Sequence, residues 1–266
     1  MVTRGDPMNP RKLQMRVPGE EQNLPLAIGQ RHGSNRLLAT LPPDLVARLG
    51  SDLQLLALAQ GSVLFEPGDQ IEHVYFPQSG LISLMVISRD GDAIETATIG
   101  REGAVGLHRA FGERRSFTRA TVQVAGQFSA ISTAKFELAV GTSAAAREAI
   151  THYTELLWAE SQQLAACNAM HDAAARLCRS LLQSADRAGS DHLTLTQESL
   201  AIALGVRRTS VTLLAQTLQK KGVIKYSRGV IQILDRSRLE ACACECYRVM
   251  RDESLSAAIG VRPTRR

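Results

Sequence analysis

Residues 193–234 read LTLTQESLAIALGVRRTSVTLLAQTLQKKGVIKYSRGVIQIL, and no other stretch limits the fold of this chain as strongly. Leu200, Ala203 and Leu204 make the apolar stripe of a short helix, introduced by Thr194 and Gln197 at capping-box spacing. Gly205 ends that helix, and a second is predicted from about Arg207 to Lys220 with Val211, Leu214, Ala215 and Leu218 turned inward. Two helices around a glycine turn form the helix-turn-helix plan, whose second helix enters the DNA major groove. Gly222–Tyr226, a Ser227-Arg228-Gly229 turn and Val230–Ile233 then predict a hairpin, the wing of a winged helix.

The outward side of the second helix carries Thr209, Thr212, Leu213, Gln216 and Lys220, with Arg207 and Arg208 at its N-terminal end. Arginine forks onto guanine, and threonine offers a hydroxyl to a base or a methyl to thymine. Arg207, Arg208, Thr209 and Thr212 are therefore the candidate base readers. Ser210, Gln216 and Lys220 suit phosphates, as do Lys225 and Arg228 on the wing. Charge agrees with this placement. Up to His171 the chain holds 15 Lys and Arg against 17 Asp and Glu, whereas from Asp172 onward it holds 16 against 9. The basic excess sits in the last third, as polyanion binding requires.

At 266 residues the chain has room for two domains. Residues 1–35, with Pro7, Pro10, Pro18 and Pro25 and no apolar period, read as a flexible arm. From Leu45 through Leu56, leucines suggest short helical turns. Between Gly61 and Ser132, turn residues cut the chain into short runs at Val63–Phe65, Val74–Phe76, Leu81–Ile87, Ala93–Ile99, Ala120–Val124 and Phe128–Ile131. That is the pattern of an antiparallel barrel or jelly roll. Arg89-Asp90-Gly91-Asp92 is its clearest hairpin tip. The longest apolar run, Leu81–Ile87, is far short of the roughly 20 residues of a membrane span. The N-terminus lacks the apolar segment of a secretory signal. Five cysteines, all from Cys167 onward, do not form a disulfide framework, so the chain is expected in the cytoplasm and away from membranes.

Residues 144–182 read as a long helical stretch broken near Met170-His171-Asp172. Ile150, Leu157 and Leu164 recur every seven residues with Tyr153 and Cys167 between them, the stripe of a helix that pairs with its own copy, although Glu160 interrupts it. The alternative is that this stripe packs on the chain's own barrel. The resulting organisation is an arm (1–35), a β-roll sensor domain (36–140), a dimerisation helix (141–170), a winged helix-turn-helix (171–250) and a tail (251–266). The fold class is α+β: a jelly roll, a long helix and a winged helix-turn-helix.

With VLFEPGD, VYFPQSGLISL, the long helix and TQESLAIALGVRRTSVTLLAQTLQKKGVI in this order, residues 41–247 resemble the Crp/Fnr family of bacterial transcription regulators. The resemblance implies a homodimer joined along the long helix and reading a two-fold site on double-stranded DNA. It also implies RNA polymerase as a further partner and a small-molecule effector of unknown identity. Arg208 matches the family's recognition-helix arginine. Thr209 stands where glutamate is usual, and Leu213 where the best-known member has a second arginine, so the family's half-site is not carried over.

Nucleotide-binding members hold the ribose with a Gly-Glu-Leu turn and the phosphate with an Arg-Ser pair. Here the first reads Gly106-Leu107-His108, and the second falls near Ser116-Phe117, with Arg114, Arg115 and Arg119 out of register. Cyclic AMP binding through the usual contacts is not expected. The candidate effector pocket comprises Glu95, Arg101, Gly106, Leu107, His108 and Arg119, with Glu102 close by. No cofactor or metal is assigned. An iron–sulfur sensor of the fumarate–nitrate type needs cysteines ahead of the roll, and none precedes Cys167. Cys242, Cys244 and Cys246 are read as lying on one helix, where Cys242 and Cys246 share a face and Cys244 points away, leaving two buried apolar thiols. His171 is read as a hinge or surface residue. GxSxG, HExxH and phosphate-loop motifs are absent, so no catalytic residues are assigned and an enzyme is not expected. The competing reading is an interaction module that uses the roll as a docking or ligand-sensing platform without DNA.

Overall fold

Asn35 shows how the N-terminal segment is locked onto the roll. In the computed structural model, which describes residues 32–107 and 115–251, its Oδ1 caps helix α1 (Arg36–Thr40) by accepting the Leu38 amide at 3.0 Å. Its Nδ2 meanwhile donates to the carbonyls of Pro77 and Gly103, at 3.0 and 2.8 Å. Helix α2 (Pro43–Gly50) starts on a proline, where the missing N–H costs nothing, and buries Leu45 and Leu49.

Seven strands follow: β1 (Gln54–Leu58), β2 (Val63–Phe65), β3 (His73–Pro77), β4 (Leu81–Ile87), β5 (Ala93–Ile99), β6 (Arg119–Val124) and β7 (Gly126–Ser132). They form two antiparallel sheets, in the orders β1-β7-β3 and β2-β6-β4-β5. Phe65, Ile82, Val122 and Phe128 fill the space inside the roll, and Phe76 and Ile131 meet Leu45 and Phe136 in a second cluster. The β4–β5 tip turns at Gly91, φ +90°, a conformation glycine adopts without cost.

Strand β1 corrects the sequence reading. Its residues, QLLAL, have helical rather than strand preference. All five nevertheless pair with β7, from Gln54 opposite Ala130 to Leu58 opposite Gly126, so cross-strand pairing and packing override local preference.

Helix α3 (Thr133–Gly141) leads into α4 (Ala144–Met170) and α5 (Ala173–Ala188). The break between the last two is set by Asp172, whose Oδ1 accepts the amides of Ala174 and Ala175, both at 2.9 Å. The C-terminal domain continues with β8 (His192–Thr194), α6 (Gln197–Leu204), α7 (Arg208–Lys220), β9 (Ile224–Ser227), β10 (Val230–Ile233) and α8 (Arg236–Cys242). Its strands pair in the order β8-β10-β9 around a core that includes Leu177, Leu181, Leu193, Leu204, Val211, Leu218 and Ile231. Among the described residues no helix is long and apolar enough to cross a membrane.

Two local expectations change here. Thr194 belongs to β8, and α6 is capped instead by Thr196, whose Oγ1 accepts the Ser199 amide at 3.0 Å. Helix α8 also stops at Cys242: Ala243 is extended, and the chain is helical again only from residue 246. The three cysteines therefore do not share one helix. Cys244 and Cys246 are buried, while Cys242 is exposed.

Candidate DNA interface and interdomain joint

Helix α7 presents two unlike sides. Val211, Ala215 and Leu218 are buried in the domain core, while Arg207, Arg208, Thr209, Gln216 and Lys220 are exposed; Ser210 and Thr212 are half-buried at the border. Gly205, at φ +60°, turns the chain out of α6 and brings the N-terminal end of α7 to the surface. Arg207 is the N-cap residue and makes no side-chain cap bond; Arg208 Nε donates to Gln197 Oε1 at 3.3 Å. Leu213 is 65% exposed, a large apolar side chain placed among these polar groups. In the wing, Arg228 and Gly229 both have positive φ, +50° and +79°. Two such residues between paired Ser227 and Val230 form the tight turn that matches strand twist, and they hold the Arg228 side chain at the tip. Lys225 is exposed on β9 opposite Gln232.

The stripe on α4 lies against the chain's own roll. Ile150 and Tyr153 pack into the cluster of Leu45, Phe76 and Phe136, Leu157 packs against the roll interior, and Leu164 is buried. The Tyr153 hydroxyl donates to the Ala104 carbonyl at 3.0 Å and accepts the Ala104 amide at 3.1 Å; burial pushes its pKa up. Gly103 makes room for the ring, since a Cβ there would lie 2.2 Å from the hydroxyl. Ile150, Tyr153 and Leu157 thus lie half-buried on the chain's own roll, as the alternative reading of the stripe has it: periodicity marks a buried side without saying what covers it. The outward side of α4 instead carries Trp158, 65% exposed.

Glu160, which interrupts the stripe, has a partner within the chain. Arg187 on α5 donates from Nη2 to Glu160 Oε2 at 2.6 Å, from Nε to Glu102 Oε1 at 3.2 Å and from Nη1 to the Thr98 carbonyl. The three charged side chains are only 11–17% exposed. Burial alone would lower the Arg187 pKa, but Glu160 and Glu102 outweigh it and hold the guanidinium charged. This cluster joins roll, long helix and DNA-binding domain. Gln60 Nε2 adds a second tie, donating to the carbonyls of Gln123 and Thr194 at 3.0 and 2.9 Å.

The residues assigned to an effector pocket do not converge. Glu95 is buried where β5 meets α4 and α5, accepting from Ser83, Thr98 and Gln123 at 2.5, 2.8 and 2.9 Å. Burial raises its pKa against these bonds and against Arg179 and Arg187. Arg101 reaches Gly189 at the end of α5, where a Cβ would sit 2.2 Å from its guanidinium. Arg119 pairs with Glu66 at 2.8 Å. Gly106, at φ +94°, lies against β3, and Leu107 packs into the N-terminal cluster. His108 lies outside the described residues. Ser116 Oγ closes its own turn, donating to the Thr118 carbonyl at 2.6 Å.

One grouping escaped the sequence reading. Cys167, His171, Cys244 and Cys246 come together, although Cys244 lies 73 positions beyond His171 along the chain. The usable signal was the Cys-x-Cys spacing, hidden by reading Cys242, Cys244 and Cys246 on one helix.

Fold and surface define a two-domain regulator in which a β-roll is coupled through a long helix to a winged helix-turn-helix. The profile of the Cyclic nucleotide-binding domain matches residues 55–141, and that of the Crp-like helix-turn-helix domain matches residues 175–242. The chain belongs to the Crp/Fnr family; it is a DNA-binding transcription regulator and not an enzyme. No curated protein sequence matches it. Among solved structures it is similar to FixK2 from Bradyrhizobium japonicum, at TM-score 0.63 and 15% identity, over 72% of this chain and 98% of that one. The c-di-GMP responsive regulator CLP of Xanthomonas campestris is similar at TM-score 0.59 and 17% identity, over 72% and 99%. A CRP-family transcriptional regulator from Thermus thermophilus, TTHB099, gives 0.60 and 19%, over 71% and 96%.

Proposed function

We propose that two copies of this chain, joined along α4, bind a two-fold DNA site with α7 of each in successive major grooves, about 34 Å apart. Arg207, Arg208, Thr209 and Thr212 meet base edges, while Ser210, Gln216, Lys220, Lys225 and Arg228 meet phosphates. The observation that carries this reading is the open side of α7, with Arg207 making no cap bond and Arg208 exposed beside Gln197 at the helix end that reaches bases. The exposed Trp158 on the outward side of α4 supports self-association through that helix. The roll answers to a signal other than a cyclic nucleotide held by the usual contacts. Leu107 in the carboxylate position is packed into a core cluster, and the Ser116 hydroxyl is bonded within its own turn. Effectors differ on this fold, CLP being responsive to c-di-GMP. RNA polymerase is the partner that turns DNA occupancy into regulation.

Selection of bound fragments from a random DNA pool supplies the site for the test. On that site Arg208→Ala costs about 1–3 kcal/mol and flattens base preference, whereas Lys220→Ala weakens all sequences alike and reduces the salt slope by about 1. Equal losses for both variants on selected and random DNA overturn the assignment of roles. A gain in DNA affinity on titration with cyclic AMP overturns the reading of the roll.

A further inference from the structure

Four side chains that DNA binding leaves unused meet at the joint between the domains. Cys167 lies in the last turn of α4 and His171 caps that helix, while Cys244 and Cys246 follow the break after α8. The sulfurs of Cys167 and Cys244 are 3.5 Å apart, and Cys246 Sγ is 3.7 Å from His171 Nδ1. The four donor atoms all lie within 4.8 Å of one another. A tetrahedral zinc ion, with Zn–S about 2.3 Å and Zn–N about 2.0–2.1 Å, places sulfurs about 3.8 Å apart and sulfur and nitrogen about 3.6 Å apart. The observed separations fit one ion. An iron–sulfur cluster distributes its ligands over several metal atoms and needs a wider ring of donors.

The surroundings are those of a metal site as well. His171 Nε2 is 3.1 Å from Glu245 Oε1, which leaves Nδ1 as the inward donor and supplies the carboxylate that usually orients a ligating imidazole. Gln163 Nε2 donates to Cys246 Sγ at 3.1 Å, a bond that favours a thiolate. Cys167, Cys244 and Cys246 are all buried, away from bulk oxidants. Three sulfurs and one imidazole form a closed donor set that selects zinc among common divalent ions and leaves no open position for a substrate.

We infer that Cys167, His171, Cys244 and Cys246 bind one structural zinc ion that ties the end of α4 to the tail of the DNA-binding domain. It sits beside the α4–α5 break, where the long helix hands over to the DNA-reading domain. Zinc loading therefore sets how firmly the two domains are held. Cys178 and Cys242 lie outside the site.

The test uses the full chain, purified under reducing conditions and analysed for metal by mass spectrometry. One zinc per chain is expected. Replacement by Co²⁺ gives the intense visible bands of a tetrahedral site and a thiolate charge-transfer band in the near ultraviolet. Cys244→Ser and His171→Ala each lose stoichiometric binding, while Cys178→Ser and Cys242→Ser keep it. X-ray absorption at the zinc edge of the unmutated chain reads the ligands without any variant, and three sulfurs with one nitrogen are expected. Absence of bound metal with no visible Co²⁺ bands, a ligand count of two sulfurs or fewer, or undiminished binding by Cys244→Ser would each overturn the inference.

Discussion

Replacing Arg187 by methionine keeps most of the side-chain volume and removes only the cation at the joint. Two carboxylates, Glu102 and Glu160, are then left at 17% and 14% exposure without the group that neutralised them. Removing one partner of a buried ion pair typically costs about 3–5 kcal/mol, and the lost hydrogen bond to the Thr98 carbonyl adds about 1 kcal/mol. We expect a loss of about 5 kcal/mol, roughly half of what a domain of ordinary stability possesses. Urea unfolding at neutral pH measures it. Trp158 fluorescence reports on α4, and far-ultraviolet circular dichroism on the whole chain. Because Arg187 links both domains, the variant should also separate their transitions. The triple variant Arg187→Met, Glu102→Gln, Glu160→Gln should regain most of the loss, since its buried groups are neutral. A loss below about 1 kcal/mol in the single variant, or a triple variant as weak as the single, refutes an account based on stranded charge.

Glu95→Gln tests the raised pKa of Glu95. With the folded value above the unfolded one, the native carboxyl's contribution is complete below the ordinary glutamate pKa, near 4.3, and is lost as pH rises through the folded pKa. The stability of the glutamine variant relative to the native chain should rise with pH across that window and then level off; a flat difference in urea melts refutes it. Gly106→Ala forces a Cβ to 2.4 Å from the His73 carbonyl at positive φ, whereas Gly91→Ala has the same backbone penalty in open space. The first should cost at least about 2 kcal/mol more than the second in thermal or urea unfolding, in line with overpacking a closed site; equal costs would show that the strand gives way freely. Trp158→Glu should shift the chain from dimer to monomer in sedimentation velocity, and an unchanged sedimentation coefficient would remove α4's outward side from the interface.

Much of the proposed DNA-reading surface was legible along the chain because its signals are local. The 3.6-residue spacing of Val211, Leu214, Ala215 and Leu218 tells which side of α7 turns inward, so the opposite side is known as well. Gly205 and Gly229 mark turns whose backbone only a few residue types adopt cheaply. The strands of the roll showed through for the same reason, except β1, where leucine and alanine preferences pointed to helix and pairing with β7, some seventy residues further on, prevailed. The effector residues were less legible. Alignment of motifs placed Glu95, Arg101 and Arg119 in one cavity, but side-chain direction along a twisted, bulged sheet sends them to three different neighbours.

By itself the sequence determined most strands of the roll, the helix-turn-helix with its hairpin, the basic last third and the side of α7 left open, since periodicity, turn chemistry and charge act over a few residues. Only the tertiary structure decided that the α4 stripe lies on its own roll, that Glu160 has Arg187 for a partner, and that four donors from opposite ends of the C-terminal half meet in one place. Each of these is a contact between distant segments. A buried face records that something covers it, but only closure of the chain in three dimensions determines which surface does.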